Sequence, residues 1–213
     1  MSAGNNASKA VVIADSWPGV SVDLLSPKVS DIDFPALSRR LSRLARFVGG
    51  TRDFYSVAQH SVVVCDLVSP AARPYALLHD AHEGFFGALT SPLRQALDAL
   101  MQPYRRDEHT SMDMAALAIR NLSFTWDYTI FLAAGFEFPS FEIQREVIEM
   151  DSRVTEAELR ALVYGTPHPL LGPRFEAQAM EAAEIAFMQA LRVICPATAP
   201  AVSAALNLHP RHR

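Results

Sequence analysis

Four side chains able to bind a cation or move a proton crowd one short stretch: His79, Asp80, His82 and Glu83, within Ala76-Leu77-Leu78-His79-Asp80-Ala81-His82-Glu83. Pro74, Leu78, Ala81 and Phe85 recur at helical spacing, which predicts a core-facing stripe. On such a helix His79 and Glu83, four apart, lie one above the other. Asp80 is rotated by about 100° from His79, close enough for both side chains to converge on one ion. Two further polar residues fall on apolar stripes. His60 sits among Val57, Val64 and Leu67; Asp151 shares a face with Val147 and Val154. An apolar-face histidine is either a satisfied core residue or a metal ligand with its second ring nitrogen held by a neighbour. A carboxylate on such a face costs several kcal/mol to bury unless it is paired or binds a cation. For Asp151 the alternatives are an inward-drawn Arg145 or Arg153, a misread helix phase, or a metal.

Helices are the elements that must position these groups. Ser30-Asp31-Ile32-Asp33 offers N-cap chemistry ahead of a helix with the stripe Leu37, Leu41, Leu44 and Val48, ended by Gly49-Gly50. Ser56 caps the next helix, which carries His60. Pro70 and Pro74 precede the His79-Asp80 helix. Pro92 starts a short helix to Met101, and Pro103 another to Asn121. Residues 122–138 read as an irregular connection or one short helix. A long helix covers Pro139–Val163, and the last runs from Pro173 or Arg174 to Ile194. Val11–Ile13 and Val20–Leu25, separated by Trp17-Pro18-Gly19, predict a short N-terminal β-hairpin or extended arm. The fold class expected is all-α, a compact bundle of about six to eight helices. Residues 1–9 are expected to be disordered, 10–195 to form a single domain, and 196–213 to be a loosely held tail.

Three separate helices thus each turn polar groups inward: His60, then His79 with Asp80, then Asp151. Helical bundles build metal sites this way. Two histidines and two aspartates make a mixed nitrogen and oxygen set, suited to Mn, Fe, Co, Ni or Zn, with positions left for water and substrate oxygens.

Composition narrows the function classes. The chain of 213 residues is 50% hydrophobic and 20% charged, with a net charge of −4. No broad basic field recommends a nucleic-acid polymer as partner. Lysine occurs only at Lys9 and Lys28. The arginine-rich balance suits phosphate recognition or reflects genomic base composition. Cys65 and Cys195 lie far apart, without metal or redox spacing, and read as small buried hydrophobes. No apolar run is long enough to span a bilayer, and Met1–Ala10 lacks the pattern of a signal peptide. A cytoplasmic protein without membrane contact is expected, and apolar stripes on the last helix suit a homo-oligomer.

The order His60…His79-Asp80…Asp151 on helices resembles the HD-domain metal-dependent phosphohydrolases. Arg46-Phe47-Val48-Gly49-Gly50-Thr51-Arg52-Asp53-Phe54-Tyr55-Ser56-Val57-Ala58-Gln59-His60-Ser61-Val62 is similar to the segment bearing the first metal histidine in their compact nucleotidase-like branch. Ala76–Glu83 is similar to the HD helix of that branch, which includes bacterial 5′-deoxynucleotidases and phage dATP triphosphohydrolases. The similarity runs from Leu24 to Val163. It implies an HD-domain bundle in which His60, His79, Asp80 and Asp151 bind a divalent metal (Mn, Co, Fe, Ni, Mg or Zn). Glu83 is implied as general acid/base, and Asp80 as a second contact to the nucleophilic water. Arg46 and Arg52 are implied to hold phosphate oxygens. Phe47, which falls where the deoxynucleotidases carry an aromatic, is implied to stack on base or sugar, with His82 and Phe85 also near substrate. The implied activity is removal of phosphate from the 5′ position of (deoxy)nucleotides. The alternatives are a dNTP triphosphohydrolase of the dATP type and, in another class, a non-catalytic metal- or nucleotide-binding regulatory module. One departure stands out. The deoxynucleotidases carry a Gly-Asp pair after this helix, where the chain has Gly87-Ala88.

Overall fold

In the computed structural model, residues 11–14, 20–101, 114–173 and 175–208 are described. The all-α expectation holds. The helices are α1 (Phe34–Leu41), α2 (Val57–Leu67), α3 (Arg73–Leu78), α4 (Glu83–Phe86), α5 (Ser91–Met101), α6 (Met114–Ala133), α7 (Phe141–Glu158), α8 (Met180–Ile194) and α9 (Ala199–Leu208). The expected hairpin is present as β1 (Val11–Ala14) and β2 (Val20–Asp23), antiparallel, with Val11 opposite Asp23 and Ala14 opposite Val20. The expectations for residues 1–9, for Trp17-Pro18-Gly19, for a helix start at Pro103 and for Arg174 lie outside the described residues.

Helix α2 occupies the middle and packs against α3, α7 and α8. It is apolar almost all round, and Val57, Ala58, Val64 and Cys65 are fully buried. Cys195 is buried too, and burial pushes both thiols up to about 12, as expected of core hydrophobes. The Ser56 hydroxyl caps α2 by accepting from the Gln59 N–H at 3.2 Å, as the sequence predicts. Asp33 caps α1 in the same way, accepting from Ala36 N–H at 3.1 Å. Leu37, Leu41, Leu77, Leu78, Trp126, Ile130, Phe187 and Leu191 complete the core.

Five boundaries differ from the sequence expectation. Helix α1 ends at Leu41, so Leu44 and Val48 do not extend its stripe, and Val48 is 84% exposed. Instead the chain turns back: Arg46 N–H donates to Tyr55 C=O at 2.9 Å and Val57 N–H to Leu44 C=O at 3.0 Å. The loop between them makes a left-handed turn through Phe47, Val48 and Gly49, at φ 52°, 55° and 73°. The single helix expected around His79-Asp80 is broken into α3 and α4. Across the break Ala81, Glu83, Gly84 and Phe85 donate to the carbonyls three residues back, the tighter 3₁₀ pattern. Residues 122–133 continue α6 rather than forming a connection, because Trp126 and Ile130 lie one helical turn apart in the core. Helix α8 starts at Met180, not Pro173. The chain before it is held extended by Gln59, whose amide donates to Glu176 C=O and accepts from Gln178 N–H, both at 2.8 Å. The tail is not loose through 199–208: α9 packs on α8 and α1, burying Val202 and Leu206. Among the described residues no single helix is long and apolar enough to cross a membrane.

Candidate metal centre

The first ligand position is set by α2. His60 is fully buried, with both ring nitrogens engaged. Its Nδ1 lies 2.8 Å from Glu158 Oε1 and its Nε2 lies 3.0 Å from Asp151 Oδ1. The second position comes from the end of α3, where His79 Nδ1 lies 2.8 Å from Ala76 C=O. A carbonyl only accepts, so this nitrogen carries the proton and Nε2 is turned into the site. His79 Nε2 is buried without a hydrogen-bond partner, 3.3 Å from Asp80 Oδ2 and 3.7 Å from Asp151 Oδ1. The third position is Asp151, carried by α7.

One donor atom from each of His60, His79 and Asp151 lies within 4.8 Å of the other two, so the three could hold a metal ion. Two ligands about 2.1 Å from a shared ion are themselves about 3.0–4.2 Å apart, and the Nε2–Oδ1 distances of 3.0 and 3.7 Å fall in that range. The fourth expected ligand, Asp80, stands at the margin. Its Oδ2 is 3.3 Å from His79 Nε2 and 3.8 Å from His60 Nε2, but it also accepts from Arg46 at 3.3 Å.

Charge supports a cation here. Asp80, Asp151 and Glu158 surround the two imidazoles, and Arg46 is the cation paired with them, leaving two negative charges with the histidines neutral. Two lone pairs facing each other across 3.0 Å, as at His60 Nε2 and Asp151 Oδ1, repel unless a proton or a cation lies between. Without a metal the proton must fill that role. Burial alone would lower both imidazoles, yet Glu158 and Asp151 raise His60, and Asp80 with Asp151 raise His79 well above its usual range. Burial opposes ionisation of both aspartates. Charge on the two imidazoles and the His60–Asp151 bond overcome it, holding Asp151 and Asp80 far below the ordinary carboxylate range.

Glu83 behaves oppositely. It is largely buried, its Oε2 is without a hydrogen-bond partner, and burial followed by the Asp80 charge lifts its carboxyl to about 7. The charges of Asp80, His82, Arg46 and His79 all act on this carboxyl, so Glu83 lies within electrostatic reach of the centre.

Arg46 is the expected substrate residue that the fold brings closest to the centre. It reaches Asp80 at 3.3 Å, Thr155 Oγ1 at 2.7 Å and Glu158 Oε2 at 3.2 Å. Burial lowers its guanidinium, but Glu158, Asp80 and Asp151 more than restore it, so the net direction is upward. The ring of Phe47 lies under that guanidinium, with Cζ 5.5 Å from the centroid. His82 is half-buried beside Glu83; its Nδ1 is 2.8 Å from Asp127 Oδ1 and its ring stacks on Phe86. Two expected residues are elsewhere. Arg52 is exposed and pairs with its neighbour Asp53 at 2.9 Å, since the left-handed turn carries it outward. Phe85 faces inward, stacked on Trp126 with centroids 3.9 Å apart, and is a core residue.

Four participants are absent from the sequence reading: Tyr55, Asp127, Thr155 and Glu158. Glu158 and Thr155 had a readable signal, because Asp151, Thr155 and Glu158 are spaced i, i+4, i+7 on one face of α7. Asp127 had none, since nothing local marks a partner 45 residues from His82.

No family model matches the chain. It is 37% identical over 78 residues to the uncharacterized protein YfdR of Escherichia coli K12, covering 37% of this chain and 42% of that one. It is also 38% identical over 88 residues to an uncharacterized protein of Rhodobacter capsulatus, covering 37% of this chain and 45% of that one. The chain therefore matches less than half the length of these curated relatives.

Proposed function

We propose that this chain is a metal-dependent phosphohydrolase of the HD-domain type that removes phosphate from the 5′ position of (deoxy)nucleotides. The observation that carries the reading is the convergence of His60, His79 and Asp151 on one point, with Arg46 beside it and a protonatable Glu83 alongside. A divalent ion held by the three, with Asp80 at its margin, would polarise a phosphoryl oxygen and acidify a water. Mn, Co, Fe, Ni, Mg and Zn all accept such nitrogen and oxygen donors.

The chain's own residues supply the rest. Arg46 has five N–H donors and engages Asp80, Thr155 and Glu158, leaving donors for phosphate oxygens. Phe47 packs on the guanidinium and offers an apolar face to a base or sugar at the same place. Glu83, poised near 7, can take a proton from the attacking water or give one to the leaving oxygen at neutral pH. Gly87-Ala88 provides no carboxylate for reading the sugar, so sugar choice falls to shape.

The test is product analysis over ribo- and deoxynucleoside mono-, di- and triphosphates with Mn, Co, Mg and Ni. Phosphate from monophosphates supports the nucleotidase; intact triphosphate from dNTPs identifies the triphosphohydrolase. Glu83→Gln should cut the rate by about 10²–10⁴-fold while leaving metal content intact. An unchanged rate refutes the acid/base role. Stoichiometric metal and nucleotide binding with no turnover points instead to the regulatory module.

A further inference from the structure

We propose that Glu158 is a positioning residue that sets His60 for metal binding and Arg46 for anion binding through one buried carboxylate. The inference rests on the metal-site reading above. Glu158 closes α7, one turn beyond Thr155, and is fully buried. A carboxylate so far from water survives only with partners. Its Oε1 accepts from Tyr55 O–H at 2.5 Å and from His60 Nδ1–H at 2.8 Å, and its Oε2 stands 3.2 Å from Arg46 Nε as an ion pair.

The bond to His60 decides the tautomer. A carboxylate can only accept there, so Nδ1 keeps its proton and Nε2 turns its lone pair toward Asp151 and His79. Such an outer carboxylate also makes the imidazole a stronger donor. The same group, through its other oxygen, restrains the guanidinium whose NH1 reaches Asp80 at the margin of the centre. The Tyr55 hydroxyl fixes the carboxylate, and its ring rests edge-on against Phe175 at 5.9 Å. The α7 face Asp151–Thr155–Glu158 therefore carries a ligand, an anchor for Arg46 and the group that orients both His60 and Arg46.

The experiment is titration of metal-free wild type and Glu158→Gln with Mn²⁺ and Co²⁺ by calorimetry, alongside ¹⁵N detection of the His60 tautomer in the metal-free protein at a pH high enough to leave the imidazole neutral. Glutamine keeps the size but replaces one acceptor oxygen with a donor. The expected result is a Kd for the ion raised about 10–100-fold and loss of the single Nδ1–H tautomer, with stoichiometry still one. A Kd within threefold of wild type and an unchanged tautomer overturn the proposal. Should wild type itself take up no ion, the metal reading fails instead, and the two failures are distinct. If Glu158→Gln does not fold, Tyr55→Phe decides. It removes the hydroxyl that fixes the carboxylate, so the Kd for the ion should rise, by less than the change expected of Glu158→Gln, and a Kd equal to that of wild type overturns the proposal.

Discussion

Val48→Gly should stabilise this protein. Val48 sits at φ 55°, ψ 29°, between Phe47 at φ 52° and Gly49 at φ 73°. Left-handed backbone costs an L-residue about 1–2 kcal/mol, and a β-branched side chain is among the worst placed to bear it. Glycine removes that cost. Against it stand the larger conformational freedom of glycine in the unfolded chain, about 0.4–1 kcal/mol, and the loss of whatever the side chain buries. Val48 is 84% exposed, so the last contribution is about 0.3 kcal/mol, a small part of the roughly 2 kcal/mol for full burial. Taken at their mid-values these leave a gain of about 0.5 kcal/mol, which for a chain of 213 residues raises Tm by about 1–2 °C. Val48→Ala is the control, since it keeps a Cβ at positive φ and should move Tm by less than half as much. Thermal melts by circular dichroism, with urea unfolding to verify an unchanged m-value, measure both. A Tm lowered by Val48→Gly, or an equal gain from alanine, refutes the argument that strain is stored at this turn.

Two further outcomes follow from the charge arrangement. Saturating divalent metal should raise Tm relative to chelator-treated protein, by about 5–11 °C when free metal is 100-fold above Kd. His79→Ala and Asp151→Asn should each abolish that shift; a shift that survives both variants places the ion elsewhere. In metal-free protein, stability should fall as pH rises from 5.5 to 8.5. The raised groups His60, His79 and Glu83 contribute fully below their unfolded values of about 6.5 and 4.3 and lose that contribution as pH climbs through their folded ones, about 7 for Glu83. Asp80 and Asp151, held low, contribute above about pH 4 and weaken only below it. A Tm that is flat or rises over 5.5–8.5 contradicts the assignment.

Hydrophobic periodicity reads the helices well where one face is buried for several turns. Helix α2 with its Ser56 cap and α7 with Val147 and Val154 answer to that pattern. It reads poorly where hydrogen bonding changes period within an unbroken apolar stripe. Leu78, Ala81 and Phe85 all point inward, but the backbone between them tightens to three residues per turn. The 3.6 template therefore reads as one helix what the chain forms as α3 and α4. The stripe continued past Leu41 for a related reason: Leu44 does pack on the core, but from the start of the return to Tyr55. Nothing in Phe47-Val48 announces positive φ, because neither residue favours it.

The same distinction separates the legible and illegible parts of the centre. His60 and Asp151 are conspicuous in sequence because each interrupts an apolar face, and the physical cost of that interruption demands a partner. The partners themselves come from long range: Glu158 is 98 residues from His60, and Arg46 is 109 from Thr155. The need for compensation is local, and the means is tertiary. Compensation among the chain's own residues is also incomplete. Arg46 neutralises one of three carboxylates, His79 Nε2 is buried without a hydrogen bond, and His60 meets Asp151 acceptor to acceptor unless a proton intervenes. Replacing buried ionic groups with well-packed apolar ones often costs no stability, so stability alone does not account for this cluster. Two negative charges around two imidazoles suit a group of side chains that could hold a metal ion.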